Sequence, residues 1–316
     1  MSESETTMTA VPTSSERTMA ALAHGSVMLS FLGALVPALI WVTHRRKSPF
    51  VAFHALQAAS YQMLTFWVGL AAYLAFILLI FILLIPFSDV VLAQSGDDPA
   101  GAAMQLQLMF SLVFYGFILL YSLLGIAGAI FCLTGRDFKY PFLGKRLETY
   151  LGRGTDPNSP LDETKEDQWM SAIGHASAIL LLWGLFLPLA MYLIQKDSSP
   201  RLRFQSAQAA VYQTIATAAY FGFGVCYLAS FFAILASVVT IPVMSSSESM
   251  SPQLTIALLV FLLVFLVLGI FIMLGLPTYH LFAMIAGIQT LKGKDYRYPL
   301  LGNFIARRMK MDGPKG

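Results

Sequence analysis

SPFVAFHALQAASYQ at residues 48–62 returns as SPRLRFQSAQAAVYQ at residues 199–213, with Ser-Pro, Phe, Gln-Ala-Ala and Tyr-Gln kept at an offset of 151. The same offset pairs His24 with His175, Ser26 with Ser177, Leu29 with Leu180, Gly33 with Gly184 and Pro37 with Pro188. Farther on, GRDFKYPFLG at 135–144 matches GKDYRYPLLG at 293–302 at an offset of 158, so the second copy gains 7 residues between the blocks. Such self-similarity marks a duplicated structural unit. The chain therefore reads as a disordered tail (1–16), a first membrane module (17–152), a hydrated cytoplasmic linker (153–167), a second membrane module (168–311) and a short tail (312–316).

The composition is that of a membrane protein: 57% of residues are apolar and 12% charged, with a mean hydropathy of +0.69. Six stretches, 18–44, 48–88, 99–135, 168–195, 204–247 and 249–291, contain no Asp, Glu, Lys or Arg. Each is longer than the roughly 20 residues that cross about 30 Å of hydrocarbon. The opening MSESETTMTAVPTSSERT lacks the basic and apolar regions of a cleavable signal. Cys132 and Cys226 both lie in apolar stretches, where packing is their expected role.

Six full crossings would divide the basic residues 11 to 9 between the two faces, which gives no orientation signal. If the first stretch of each module instead enters and leaves on one side, all 20 basic residues share a face. The opposite loops, SDVVLAQSGDDPAGAA and MSSSESMSPQ, then contain only acids. Charge bias of this kind fixes orientation on insertion and makes the basic face cytoplasmic. The first stretches, MAALAHGSVMLSFLGALVPALIWV and MSAIGHASAILLLWGLFLPLAMYLI, each hold a central Gly and Pro. Proline removes a backbone donor and favours a break. The expected fold is all-α and polytopic, with two tandem modules, each a short broken hydrophobic hairpin, re-entrant or kinked, followed by two long transmembrane helices. Both termini and the basic loops are expected on the cytoplasmic side of a bacterial plasma membrane.

Ser48-Pro49 and Ser199-Pro200 read as helix starts. Beyond them Phe53, Gln57 and Tyr61 fall at i, i+4 and i+8, and Phe204, Gln208 and Tyr212 repeat that face. Gln and Tyr on one stripe are expected to bond to a neighbouring helix. His24 and His175 are ionisable groups in apolar surroundings, about one turn from the cytoplasmic ends, so both a structural and a ligand role are open. His280 has no counterpart in the first copy, where Ser122 occupies the equivalent place, so the repeat does not support a symmetric histidine site of more than two members. In the terminal blocks Lys139, Tyr140, Arg297 and Tyr298 are expected to anchor the chain at the membrane interface.

No P-loop, dinucleotide glycine pattern, GxSxG or HExxH occurs, and no apolar stretch holds a carboxylate, Lys or Arg. Enzymes and ion-coupled transporters are thereby disfavoured. No cofactor, metal centre or nucleic-acid partner is expected. The module pattern is H-x-S, a Gly/Pro-broken stretch, basic residues, Ser-Pro, F-x-x-x-Q-A-A-x-Y-Q, two long spans and D-[FY]-[KR]-Y-P. It resembles bacterial membrane proteins related to the twenty-kilodalton Tic component of the chloroplast protein-import translocon. That resemblance implies a four-helix membrane unit at or near a preprotein channel. The leading expectation is a non-enzymatic scaffold or translocon-like subunit packing against other membrane proteins or itself within the bilayer. The alternative is a channel or uncoupled carrier with a path between the modules, His24 and His175 near its mouth.

Overall fold

The computed structural model describes residues 11–94, 99–194, 199–244 and 252–310, and among these every regular element is helical. Residues 1–10 and 311–316 of the expected tails, and the centres of the two acidic loops, lie outside the described residues. The chain divides into two compact units, Met1–Ile173 with Ala190–Arg203, and Gly174–Leu189 with Phe204–Gly316.

In the first unit α1 covers Ser14–Gly25. It begins inside the expected tail because Thr13-x-x-Glu16 is a capping box: the Glu16 amide donates to Thr13 Oγ1 at 3.3 Å and the Thr13 amide to Glu16 Oε2 at 2.7 Å. A tight 3₁₀ stretch, Ser26–Ala34, follows, and α2 covers Leu35–His44. Between them Ser30 takes φ 51°, ψ −126° and the chain turns back. The reversal brings Gly33 against the Ser26 carbonyl, where any Cβ would collide. On a continuous helix these positions would stand about 10 Å apart. The apolar stretch is thus a hairpin whose arms, residues 14–29 and 31–44 on either side of Ser30, reach only about 26 and 23 Å at about 1.5 Å per α-helical and 2.0 Å per 3₁₀ residue. Neither arm can cross about 30 Å of hydrocarbon. The break falls seven residues before Pro37, which occupies the first turn of α2, where its missing N–H leaves no bond unmade.

Helix α3, Pro49–Gln94, starts where expected: Ser48 Oγ accepts from the Val51 amide at 3.3 Å. Its 46 residues make about 69 Å of helix, so part of it stands outside the hydrocarbon. Helix α4, Pro99–Leu133, returns to the end from which α3 began, and α1 packs against both while α2 packs on α3. A loop then leads to α5, Leu143–Leu151, closed by Gly152 in the left-handed region. The linker is less hydrated than expected. The Arg153 side chain is fully enclosed, 3.9 Å above the Phe53 ring and 3.0 Å from Asp137. Asp162 caps the start of α6, Glu163–Ala176. Close by, Arg45 pairs with Asp167 at 2.6 Å and Trp41 Nε1 donates to Glu166 at 3.0 Å.

The second unit holds the tip of the second hairpin, Ser177–Leu185, with the same reversal: Leu181 takes φ 51°, ψ −122°, and Ser177 Oγ donates to the Gly184 carbonyl at 2.9 Å. Helix α7 covers Phe186–Ile194, α8 Pro200–Met244, α9 Pro252–Leu291 and α10 Leu301–Arg308. Helices α8 and α9 meet through aromatic contacts, Phe223 with Phe271 and Tyr227 with Phe265. Their outer faces carry exposed Phe221, Phe232, Leu263 and Met273. In water such a surface would aggregate; it is what a helix facing lipid presents. The chain is a multi-pass, all-α membrane protein.

Candidate functional site

Phe53, Gln57 and Tyr61 do share a face of α3, and that face is turned toward the loop after α4. Gln57 Nε2 donates to the Phe138 carbonyl at 2.9 Å, and the Tyr140 amide donates to Gln57 Oε1 at 2.8 Å. One buried amide therefore satisfies two backbone groups of an irregular loop, which would otherwise be stranded away from water. Tyr61 hydroxyl donates to the Tyr121 carbonyl at 3.1 Å, and its ring stacks on Tyr140 at 3.9 Å. The second unit repeats this. Gln208 Nε2 donates to the Tyr296 carbonyl at 3.1 Å, the Tyr298 amide donates to Gln208 Oε1 at 3.2 Å, Tyr212 donates to the Tyr279 carbonyl and stacks on Tyr298 at 4.0 Å. The glutamines thus hold the terminal block and only the tyrosines reach a neighbouring helix.

Tyr140 and Tyr298, expected at the membrane interface, are each only 2% exposed. Their hydroxyls lie 3.0 Å from Nδ1 of His24 and of His175, and burial pushes both phenols above their usual range. Lys139 pairs with Glu148 at 2.6 Å, and Arg297 reaches Asp295 at 3.3 Å and Phe204 at 5.6 Å. The residues of these blocks that do project are Phe142, 86% exposed at φ 61°, and Leu300, 90% exposed at φ 63°.

His24 is fully buried and its second ring nitrogen, Nε2, lies 3.1 Å from Nδ1 of His54. Cys132 Sγ is 3.5 Å from that same Nδ1. Nε2 of His54 is 3.2 Å from Asp137 Oδ1, within ion-pair distance but outside hydrogen-bond geometry. Gly128 on α4 makes the space: a Cβ there would stand 3.0 Å from the His24 ring and 2.9 Å from Phe138. Burial works to raise the Asp137 carboxyl, but His54 and the Arg153 guanidinium outweigh it and hold it down at about 2. Asp137 is therefore ionised at neutral pH. His24, His54 and Cys132 place one ligand atom each within 4.8 Å of one another, a set able to hold a metal ion. Nothing in the repeat pointed to it, because His54 and Cys132 are positions where the copies differ.

In the second unit His175 Nε2 faces Gln205 Oε1 at 3.0 Å, the place of His54, and Thr290 stands at the position of Cys132. Thr290 donates to the Ala286 carbonyl at 2.8 Å. His24 and His175 are each enclosed within their own unit, with both ring nitrogens engaged. Toward the hairpin tip of the first unit, Val27, Phe31, Phe66, Tyr73, Phe110 and Phe117 help to line a cavity of about 630 Å³. Its lining suits hydrocarbon rather than an ion.

No curated protein and no solved structure matches the chain. Among protein-family models, one described as the magnetosome magnetite crystal formation protein family, MamF/MmsF, matches residues 15–147 and again 166–246. The two matches begin 151 residues apart, the offset of the repeat. This finding overturns the resemblance to the Tic component. The short motifs that carried it, H-x-S and F-x-x-x-Q-A-A-x-Y-Q, are spent on internal bonds: His24 to Tyr140, Gln62 to Ser26, Gln57 to the terminal block. They record how a module is held together, not what it transports. Matched over more than half its length, the chain belongs to the magnetosome magnetite crystal formation protein family, MamF/MmsF.

Proposed function

We propose that the protein is a non-enzymatic integral membrane scaffold that acts in the formation of magnetite crystals, as the family description states for the family. The observation that supports this most is the use made of the repeated polar residues. Gln57, Tyr61, Gln208 and Tyr212 are all engaged in bonds inside their own unit. What the chain offers outward is then helix surface, in particular the apolar faces of α4, α8 and α9, and the loops at either end. Those faces suit lipid and the helices of other membrane proteins or of a second copy.

All 20 basic residues are placed on the cytoplasmic side of the membrane. The support is the charge distribution together with the hairpin geometry, since a stretch that turns back at Ser30 or Leu181 adds no crossing. The same charge argument assigns the acid-only sequence after α3 and α8 to the opposite side. The experiment is deletion in a magnetite-forming bacterium, with crystal dimensions measured by electron microscopy. Changed crystal size or number, restored by the full chain, is expected. Crystals indistinguishable from the parent's would refute the assignment.

A further inference from the structure

We propose that His24, His54 and Cys132 form a binding site for a thiophilic divalent cation of the zinc class in the first module, and that the second module is the same scaffold with the site removed. The proposal stands apart from any role in crystal formation, since it rests on three side chains and their neighbours.

Zinc bound tetrahedrally through nitrogen and thiolate sets its ligand atoms about 3.3–3.4 Å apart for two nitrogens and about 3.5–3.6 Å for nitrogen and sulfur. The observed separations are 3.1 Å between His24 Nε2 and His54 Nδ1 and 3.5 Å between His54 Nδ1 and Cys132 Sγ. The third pair lies within 4.8 Å, close enough for a side-chain rotation to complete the face. Three protein ligands leave the fourth position open.

The outer nitrogens point to the same conclusion. A metal-bound imidazole typically turns its other nitrogen to a carboxylate, carbonyl or hydroxyl, which fixes the tautomer. Here His24 Nδ1 is 3.0 Å from the Tyr140 hydroxyl, while His54 Nε2 stands 3.2 Å from Asp137, at ion-pair distance and without hydrogen-bond geometry. When both outer nitrogens carry the hydrogen, the inner two direct lone pairs at each other across 3.1 Å, beside a sulfur. A shared cation resolves that repulsion. Two neutral imidazoles and a thiolate leave a divalent ion with one net charge, facing the Asp137 carboxylate behind His54, which Arg153 and Lys139 also share. The residue types select the ion: nitrogen with thiolate disfavours magnesium and calcium and favours zinc or cobalt.

The duplication provides an internal comparison. At equivalent positions the second module keeps His175, Tyr298 and Asp295 but has Gln205 for His54 and Thr290 for Cys132. It retains the scaffold contact, His175 Nε2 to Gln205 at 3.0 Å, without the ligand chemistry. Exchange of these residues is therefore compatible with the fold.

The test uses untagged full-length protein in detergent, in a Cys226→Ser background so that Cys132 is the sole thiol. After chelator treatment it is dialysed against Co²⁺ or Zn²⁺. The expected result is about one ion per chain and a thiolate-to-cobalt charge-transfer band. Both should be lost in His54→Gln/Cys132→Thr, whose circular dichroism stays that of the parent. Asp137→Asn should weaken binding about 10- to 100-fold. Gln205→His/Thr290→Cys should build a second site and double the stoichiometry. The proposal is overturned if folded parent protein shows no charge-transfer band, as it would if a lone proton joins the two histidines. It is equally overturned if the double exchange binds within twofold of the parent, or if only Cu⁺ is retained.

Discussion

Gln57 and Gln208 each satisfy a loop carbonyl and a loop amide that the fold has buried. Replacing Gln57 by Leu keeps the volume and strands both groups, at about 1–3 kcal/mol each. We expect Gln57→Leu to destabilise the first module by roughly 2–6 kcal/mol, read as a fall in midpoint on thermal unfolding in detergent. Gln208→Leu should act alike on the second, whereas Tyr61→Phe, losing one bond, should cost about 1 kcal/mol. At this scale the sequence was half legible. The i, i+4, i+8 spacing placed Phe53, Gln57 and Tyr61 on one face, but their partners at Phe138 and Tyr140 lie about eighty residues away, beyond any local pattern. Tyr140 and Tyr298 look like interface aromatics because a Tyr beside Lys or Arg after an apolar run usually is one; here stacking on Tyr61 and Tyr212 draws them inside. His54 and Cys132 were invisible to a comparison that looked for matching residues, since a chemical difference between copies registers there as mere divergence.

The element that defines each module is its hairpin, and its reversal uses a conformation that glycine adopts most readily: φ 51° at Ser30 and at Leu181. Non-glycine residues in such sparsely populated regions store about 1–3 kcal/mol. Ser30→Gly should therefore raise the unfolding midpoint, and the same holds for Leu181→Gly to the extent that its exposed side chain makes few contacts. The opposite outcome is expected at Gly33 and Gly184, where a Cβ would strike the carbonyl of Ser26 or Ser177. Gly33→Val should prevent the hairpin from closing and leave little folded protein on gel filtration. The central Gly and Pro announced a break in the sequence. The place of the break was not legible, because Ser30 and Leu181 are not residues that declare positive φ, and Pro37 and Pro188 belong to the first turn of the returning helix.

For the molecule as a whole, the duplication and the membrane class could be read directly, since a six-fold run of uncharged stretches and a 151-residue offset need no tertiary information. Function was not legible in that way: the motifs that resemble another family serve internal packing, and the family match assigns the chain elsewhere. The central claim is that each first apolar stretch turns back, so that the basic ends of both modules lie on one side of the membrane. Its most direct test is labelling of single cysteines at Arg46→Cys and Arg201→Cys, in a Cys132→Thr/Cys226→Ser background, with an impermeant maleimide on sealed vesicles of known orientation. Both are expected to be modified from the cytoplasmic side alone. Modification of the two from opposite sides would mean that the first stretches cross fully, and would contradict that claim.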